Sequence, residues 1–289
     1  MTEYKLRTLA KGRRVAVHQL AGGGDPVIFC HPAPGAGNFD PDPVETAAQG
    51  VTLLALDRPG YGGSDPVRNA EWATPASAAA DIAEVLDGLG IRSAGVAGWS
   101  AGGRVALALA AGHPDLVSRA VIFATPAPDE EVPWIPPEYK AGIQALRGLP
   151  PTTVHARLSG MLAATKPADF HAPEALAALG SSPGDTAILA QADTRQRLGD
   201  MLAKAWKQGA AGIAADIAGY TLRPWGFDPG DVKAKVLLVY GGADPVAGEA
   251  HGRWWREKLP EAELELASDM GHLLAIPLWG RALAFLTEG

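Results

Sequence analysis

The sequence predicts an α/β protein: a mostly parallel, doubly wound sheet with helices on both faces and one helical insertion. Three observations carry this. Short β-branched or apolar runs recur along the chain and lack polar alternation, as expected of strands covered on both faces. Helical patterns separate several of them, and such alternation produces a parallel sheet with helices on each side. Between about Pro126 and Phe227 the strand patterns disappear and helical ones take over.

In order, the predicted strands are RVAVHQL from Arg14, PVIFCH from Pro26, VTLLALD from Val51, SAGVAG from Ser93, RAVIFAT from Arg119, KVLLVYGG from Lys235 and ELELA from Glu263. A first helix is predicted over 75–90, with Thr74 as N-cap, Pro75 at the first helical position and Gly88 or Gly90 at its close. A second, alanine-rich helix spans 101–112 and ends at Gly112 and Pro114. The final segment, LLAIPLWGRALAFLTEG, reads as a terminal helix with Pro277 in its first turn or at a kink. Two parts are expected: a core of residues 1–126 and 227–289, and a helical cap or lid of residues 127–226. No internal repeat is visible.

Composition narrows the function. A chain of 289 residues can bury one sizeable core. Its 25 Lys and Arg against 32 Asp and Glu leave a formal charge of −7, with no electrostatic footprint for nucleic acid. The single cysteine, Cys30, excludes an internal disulfide or a cysteine-based metal cluster and suits a reducing compartment. MTEYKLRTLAKGRR lacks a signal-peptide apolar segment, and no run approaches a membrane span, so a cytoplasmic protein is expected. GAGNFD and GYGGSD do not give G-x-G-x-x-G in strand-to-helix context, no G-K-[ST] or H-E-x-x-H occurs, and no cofactor or metal is called for.

The chemistry begins at GWSAGG, Gly98 to Gly103, a G-x-S-x-G between a predicted strand and a predicted helix. A nucleophile on so sharp a turn needs a strained backbone, and glycines at 98 and 102 remove Cβ atoms that would collide with neighbouring chain. A serine in an ordinary turn would read the same from these residues alone. Chain order is the independent test. Asp244 follows the strand KVLLVYGG, and His272 follows ELELA near the C-terminus.

With these positions the sequence resembles the α/β-hydrolase family, serine-hydrolase or esterase-like members with a helical cap, whose catalytic residues run nucleophile, acid, histidine. The resemblance implies Ser100 as nucleophile, His272 as general base and acid, and Asp244 as the group that orients the imidazole. Asp269 and Asp129 are the rival acids. His31-Pro32-Ala33-Pro34-Gly35-Ala36-Gly37 resembles the family's His-Gly-x-Pro-Gly loop, with Pro32 in place of glycine. Because prolines carry no N–H, the donor from this loop falls to Ala33, and the oxyanion hole is expected at the backbone N–H groups of Ala33 and Ala101. His31 is expected to brace the loop and Cys30 to be a buried strand residue. Asp57 to Ser64, DRPGYGGS, resembles the family's D-x-x-G-x-G-x-S loop and takes a structural role. Trp99 is expected to point into packing.

The implied activity is cleavage of a small ester or lactone, carboxylesterase-like, through an acyl-enzyme, with a small-molecule, apolar acyl substrate suggested by the aromatic residues of the insertion. Thioester, amide or carbon–carbon bond cleavage and perhydrolysis use the same constellation. A non-turnover small-molecule receptor on this scaffold stays open beside them.

Overall fold

The computed structural model describes residues 4–68 and 71–288; Met1–Glu3 and Gly289, which the sequence reading assigns to the core, and Asn69–Ala70 lie outside the described residues. Strands β1 (Tyr4–Thr8), β2 (Arg14–Gln19) and β3 (Pro26–Cys30) open the chain, followed by helix α1 (Pro43–Gln49), β4 (Thr52–Leu56), α2 (Pro75–Gly88), β5 (Gly95–Trp99), α3 (Ala101–Gly112) and β6 (Arg119–Phe123). Six helices follow without an intervening strand among the described residues: α4 (Pro137–Gln144), α5 (Pro151–Ala163), α6 (Pro173–Ala177), α7 (Pro183–Leu189), α8 (Ala192–Ala205) and α9 (Ala211–Thr221). The chain then returns through β7 (Lys235–Gly241), α10 (Glu249–Lys258), β8 (Ala262–Ala267) and α11 (Trp279–Thr287).

The strands form one sheet in the order β1-β2-β4-β3-β5-β6-β7-β8. Pairings from β4 through β8 are parallel, and β2 meets β1 and β4 antiparallel. Strand residues alternate between two cores, as the period of two requires. Ile28, Val96, Ile122 and Leu238 pack with α2, α3 and Trp255 on one face. Val27, Ala97, Val121 and Val239 pack with Trp279 and Leu283 on the other. With both faces covered, the apolar runs need no polar alternation.

The seven strands read from sequence are present. An eighth, β1, escapes that reading because YKLRT is exposed over most of its length and has neither an apolar run nor a buried face. Helix α2 begins as expected: the Thr74 hydroxyl accepts from the Ser77 N–H, with Pro75 at its first position. The C-terminal expectation needs correction. Residues His272–Ala275 form a single 3₁₀ turn, and α11 starts only at Trp279, so Pro277 lies in the connection and neither kinks nor opens the helix. A proline whose ring would clash with a preceding carbonyl is accommodated outside the helix. Among the described residues no helix is long and apolar enough to cross a membrane.

Candidate active site

Ser100 sits between the end of β5 and the start of α3 with φ 55° and ψ −122°, a left-handed conformation that a side chain rarely adopts. Its own backbone is held from both sides: the N–H donates to the Phe123 carbonyl at 2.8 Å, and the carbonyl accepts from the Thr125 hydroxyl at 2.9 Å. The turn leaves no room for side chains beside it. A Cβ on Gly98 would come within 2.5 Å of the Gly103 Cα, and one on Gly102 would overlap the Cys30 carbonyl. The strain is therefore over-determined by packing, as at a nucleophile elbow.

The structure brings Asp244 and His272 together. His272 Nδ1 lies 2.7 Å from Asp244 Oδ2, while Asp244 Oδ1 accepts from the backbone N–H groups of Val246 and Ala247. Burial alone would raise the Asp244 carboxyl, but the His272 hydrogen bond and charge, with those two N–H groups, hold it below the usual carboxylate range. The rival acids are elsewhere. Asp129 accepts from the N–H groups of Trp134 and Ile135 and pairs with Lys140 at 2.7 Å, and Asp269 is exposed.

Ser100, Ala101, Ala33 and His272 line one cavity of about 290 Å³, closed in part by Ile213 and Ile217 from α9 and by Leu179 in the connection after α6. Ala33 is held by its neighbours. The Arg58 guanidinium donates to the carbonyls of His31 and Pro32, the latter at 3.0 Å. His31 Nε2 accepts from the Arg58 N–H at 3.2 Å, which fixes the proton on Nδ1, 2.8 Å from the Pro32 carbonyl. Burial, with Arg58 adding to it, pushes the His31 imidazole well below its ordinary value, so the ring is neutral and braces the loop. Asp57 ties the next loop to this one, accepting from Gly37 at 2.7 Å and from Gly63 at 2.8 Å. Cys30 is buried in β3, its thiol pushed up to about 12 by desolvation.

Three residues of this site were not singled out from sequence. Asp185, buried at the start of α7, accepts from the backbone N–H groups of Leu273 at 2.8 Å and His272 at 3.3 Å. Its signal was available: Ser182 and Asp185 form a reciprocal capping box. Asp216, in α9, pairs with Arg58 at 2.7 Å and accepts from the Tyr61 hydroxyl at 2.9 Å. Burial would lower the Arg58 pKa, yet Asp216 outweighs it and the guanidinium is held above its ordinary value. A lone acid within the apolar stretch GIAADIAGY was the clue. The third is Arg104, buried on α3 one turn after Ser100. Trp99 is fully buried, as expected, but its indole N–H also donates to the His272 carbonyl at 2.8 Å. Among the described residues no group of three or more His, Cys, Asp or Glu is gathered to hold a metal ion.

The fold and this elbow define a class, and comparison with known proteins agrees: residues 25–277 match the α/β hydrolase fold family, and the chain belongs to it. It is 27% identical over 278 residues to a 2-hydroxy-6-oxononadienedioate/2-hydroxy-6-oxononatrienedioate hydrolase of Cupriavidus pinatubonensis, covering 94% of this chain and 88% of the relative. A pimeloyl-[acyl-carrier protein] methyl ester esterase of Neisseria meningitidis is 30% identical, covering 81% of this chain and 79% of its own. Among solved structures, a thermophilic esterase from Thermogutta terrifontis superposes with a TM-score of 0.70 at 19% identity, over 98% of this chain and 96% of that one, a likeness of fold. The protein is a hydrolase-class enzyme, acting on ester or similar bonds.

Proposed function

We propose that the protein is a serine hydrolase cleaving a small ester or lactone through Ser100, His272 and Asp244. The observation that carries this reading is the 2.7 Å Asp244–His272 bond at the cavity that Ser100 lines from a strained elbow. With its Nδ1–H donating a hydrogen bond to the Asp244 carboxylate, His272 keeps a free Nε2 lone pair for the Ser100 hydroxyl. Ser100 attacks the carbonyl carbon as His272 takes its proton. The oxyanion is received by the backbone N–H groups of Ala33 and Ala101, the second at the N-terminus of α3. His272 then protonates the leaving group, and water repeats the sequence on the acyl-enzyme.

Residues 127–226 act in this reading as a cap on a core of 1–126 and 227–289, and the apolar wall of Leu179, Ile213 and Ile217 suits the stem of an acyl chain. The ester-cleaving activity named for the Neisseria relative is in keeping with it. The test is labelling by a fluorophosphonate, followed by turnover of p-nitrophenyl esters of graded acyl length. Labelling and turnover that both vanish in Ser100→Ala support the proposal. A Ser100→Ala protein that keeps its turnover rejects it, and a native protein that neither labels nor turns over points to a receptor.

A further inference from the structure

Arg104 is a cation without an anion. Its side chain is buried, yet among the described residues it makes no salt bridge. Nε and Nη2 both donate to one acceptor, the Pro126 carbonyl, at 3.2 and 2.9 Å. Nη1 makes no hydrogen bond among the described residues. The guanidinium instead lies 5.0–5.4 Å from the ring centres of Trp134, Tyr220 and Trp225. Burial lowers its pKa to about 10, which still leaves it charged at neutral pH. A buried guanidinium with aromatic faces and one carbonyl has given up water without gaining an ionic partner.

Two neighbouring groups share the deficit. Among the described residues Trp134 Nε1 and the Tyr220 hydroxyl are buried with no hydrogen-bond partner of normal geometry, the Asp216 carboxylate lying near the latter. Together with Thr221, these three residues line both the cavity of Ser100 and an adjoining one of about 410 Å³. The other charges in the adjoining cavity are largely paired: Lys140 with Asp129 at 2.7 Å and Arg147 with Glu130 at 3.2 Å. Asp216 also lines the Ser100 cavity, but its oxygens are taken by Arg58 and Tyr61. Three unpartnered donors therefore converge where the two cavities meet, one helical turn from Ser100.

We infer that Arg104, with Trp134 Nε1 and the Tyr220 hydroxyl, binds a carboxylate carried at the far end of the substrate's acyl chain, making the preferred substrate the half-ester of a short diacid. This rests on the serine-hydrolase reading and refines its apolar acyl chain: the stem lies along Ile213 and Ile217, and the terminus is anionic. A guanidinium with a free edge suits a carboxylate because its N–H groups match two oxygens in one plane.

The test compares two p-nitrophenyl esters of equal chain length, the glutarate monoester with a free carboxylate and the neutral pentanoate. The native protein is expected to favour the glutarate ester in kcat/KM by about 100-fold over the ratio for hydroxide hydrolysis, the scale of one buried charge-assisted pair. In Arg104→Gln that ratio collapses towards the hydroxide value. Arg104→Lys, which keeps the charge without the fork, is expected between the two, and serves if the glutamine variant fails to fold. An equal loss on both esters, or a native ratio no better than hydroxide, overturns the inference and reduces Arg104 to a brace for Pro126. Calorimetry with glutarate on Ser100→Ala separates this from the hydrolase reading itself. If neither ester is turned over, that reading fails, while glutarate binding lost in Ser100→Ala/Arg104→Gln still supports the carboxylate site and absence of binding rejects it.

Discussion

The sheet-bearing body and the helical segment between β6 and β7 contribute to the site by different physics. The body supplies backbone geometry: a strained serine, glycines that admit close chain contact, and the cavity-lining loop positions Ala33 and Ala101. The helical segment supplies two buried carboxyl groups that reach back into the body's loops. Asp185 holds the His272 turn, and Asp216 holds the Arg58 that grips the His31–Pro32 loop. A segment expected only to cover the site thus also braces the two loops on either side of Ser100. Lining the cavity and positioning its loops fall to the same stretch of helices, although α4 itself buries no residue.

That contrast can be broken at several points, and the largest effect belongs to the body. Ser100→Ala is expected to lower kcat by roughly 10⁴-fold or more with the fold intact, read by ester hydrolysis beside a melting curve. Next comes Asp216→Ala, which strands the buried Arg58. It should cost about 3–5 kcal/mol in urea unfolding, and a loss below about 1 kcal/mol would show the bridge to be dispensable. Asp185→Ala removes the carboxylate that accepts from two backbone N–H groups at the histidine turn, with an expected loss of about 1–3 kcal/mol. Its kcat should fall while fluorophosphonate labelling slows in parallel. Unchanged labelling would confine Asp185 to stability alone.

The smallest effect is a pH dependence within the body. His31 is neutral in the fold with its pKa pushed well below 6.5, chiefly by burial, whereas the unfolded chain takes up the proton near that value. The unfolded state therefore binds more protons, and the stability involved is complete above about 6.5 and lost as the pH falls below it. Between about pH 7.5 and 5.5 the unfolding free energy should drop by on the order of 1 kcal/mol. A flat profile there would mean that His31 gains a proton without cost.

The body was legible in the sequence because its signals are local. GWSAGG lies at a strand-to-helix boundary, and the strands announce themselves by apolar runs that the two-faced core demands. Strand β1 was not legible, since an exposed edge strand carries no burial pattern. Helix α10 was also missed: EAHGRWWREK puts Gly252 and paired tryptophans inside a short segment. The braces were hidden for another reason. Asp185 and the Leu273 N–H are 88 residues apart, and Asp216 and Arg58 are 158 apart, so no local pattern couples them. Each acid had a nearby clue, a capping box or an isolated charge among apolar residues, but neither clue names its partner. Arg104 was equally quiet, a single arginine in an alanine-rich helix.

The indole of Trp99 has a consequence for anyone reshaping this enzyme. It ties the residue beside Ser100 to the carbonyl of His272, 173 positions away. The spacing between two groups that meet only in three dimensions is thereby gauged by one side chain that belongs to neither. Position 99 is a tuning screw: Trp99→Phe removes the N–H and keeps the bulk, giving directed evolution a way to shift His272 while leaving Ser100, Asp244 and His272 themselves unaltered.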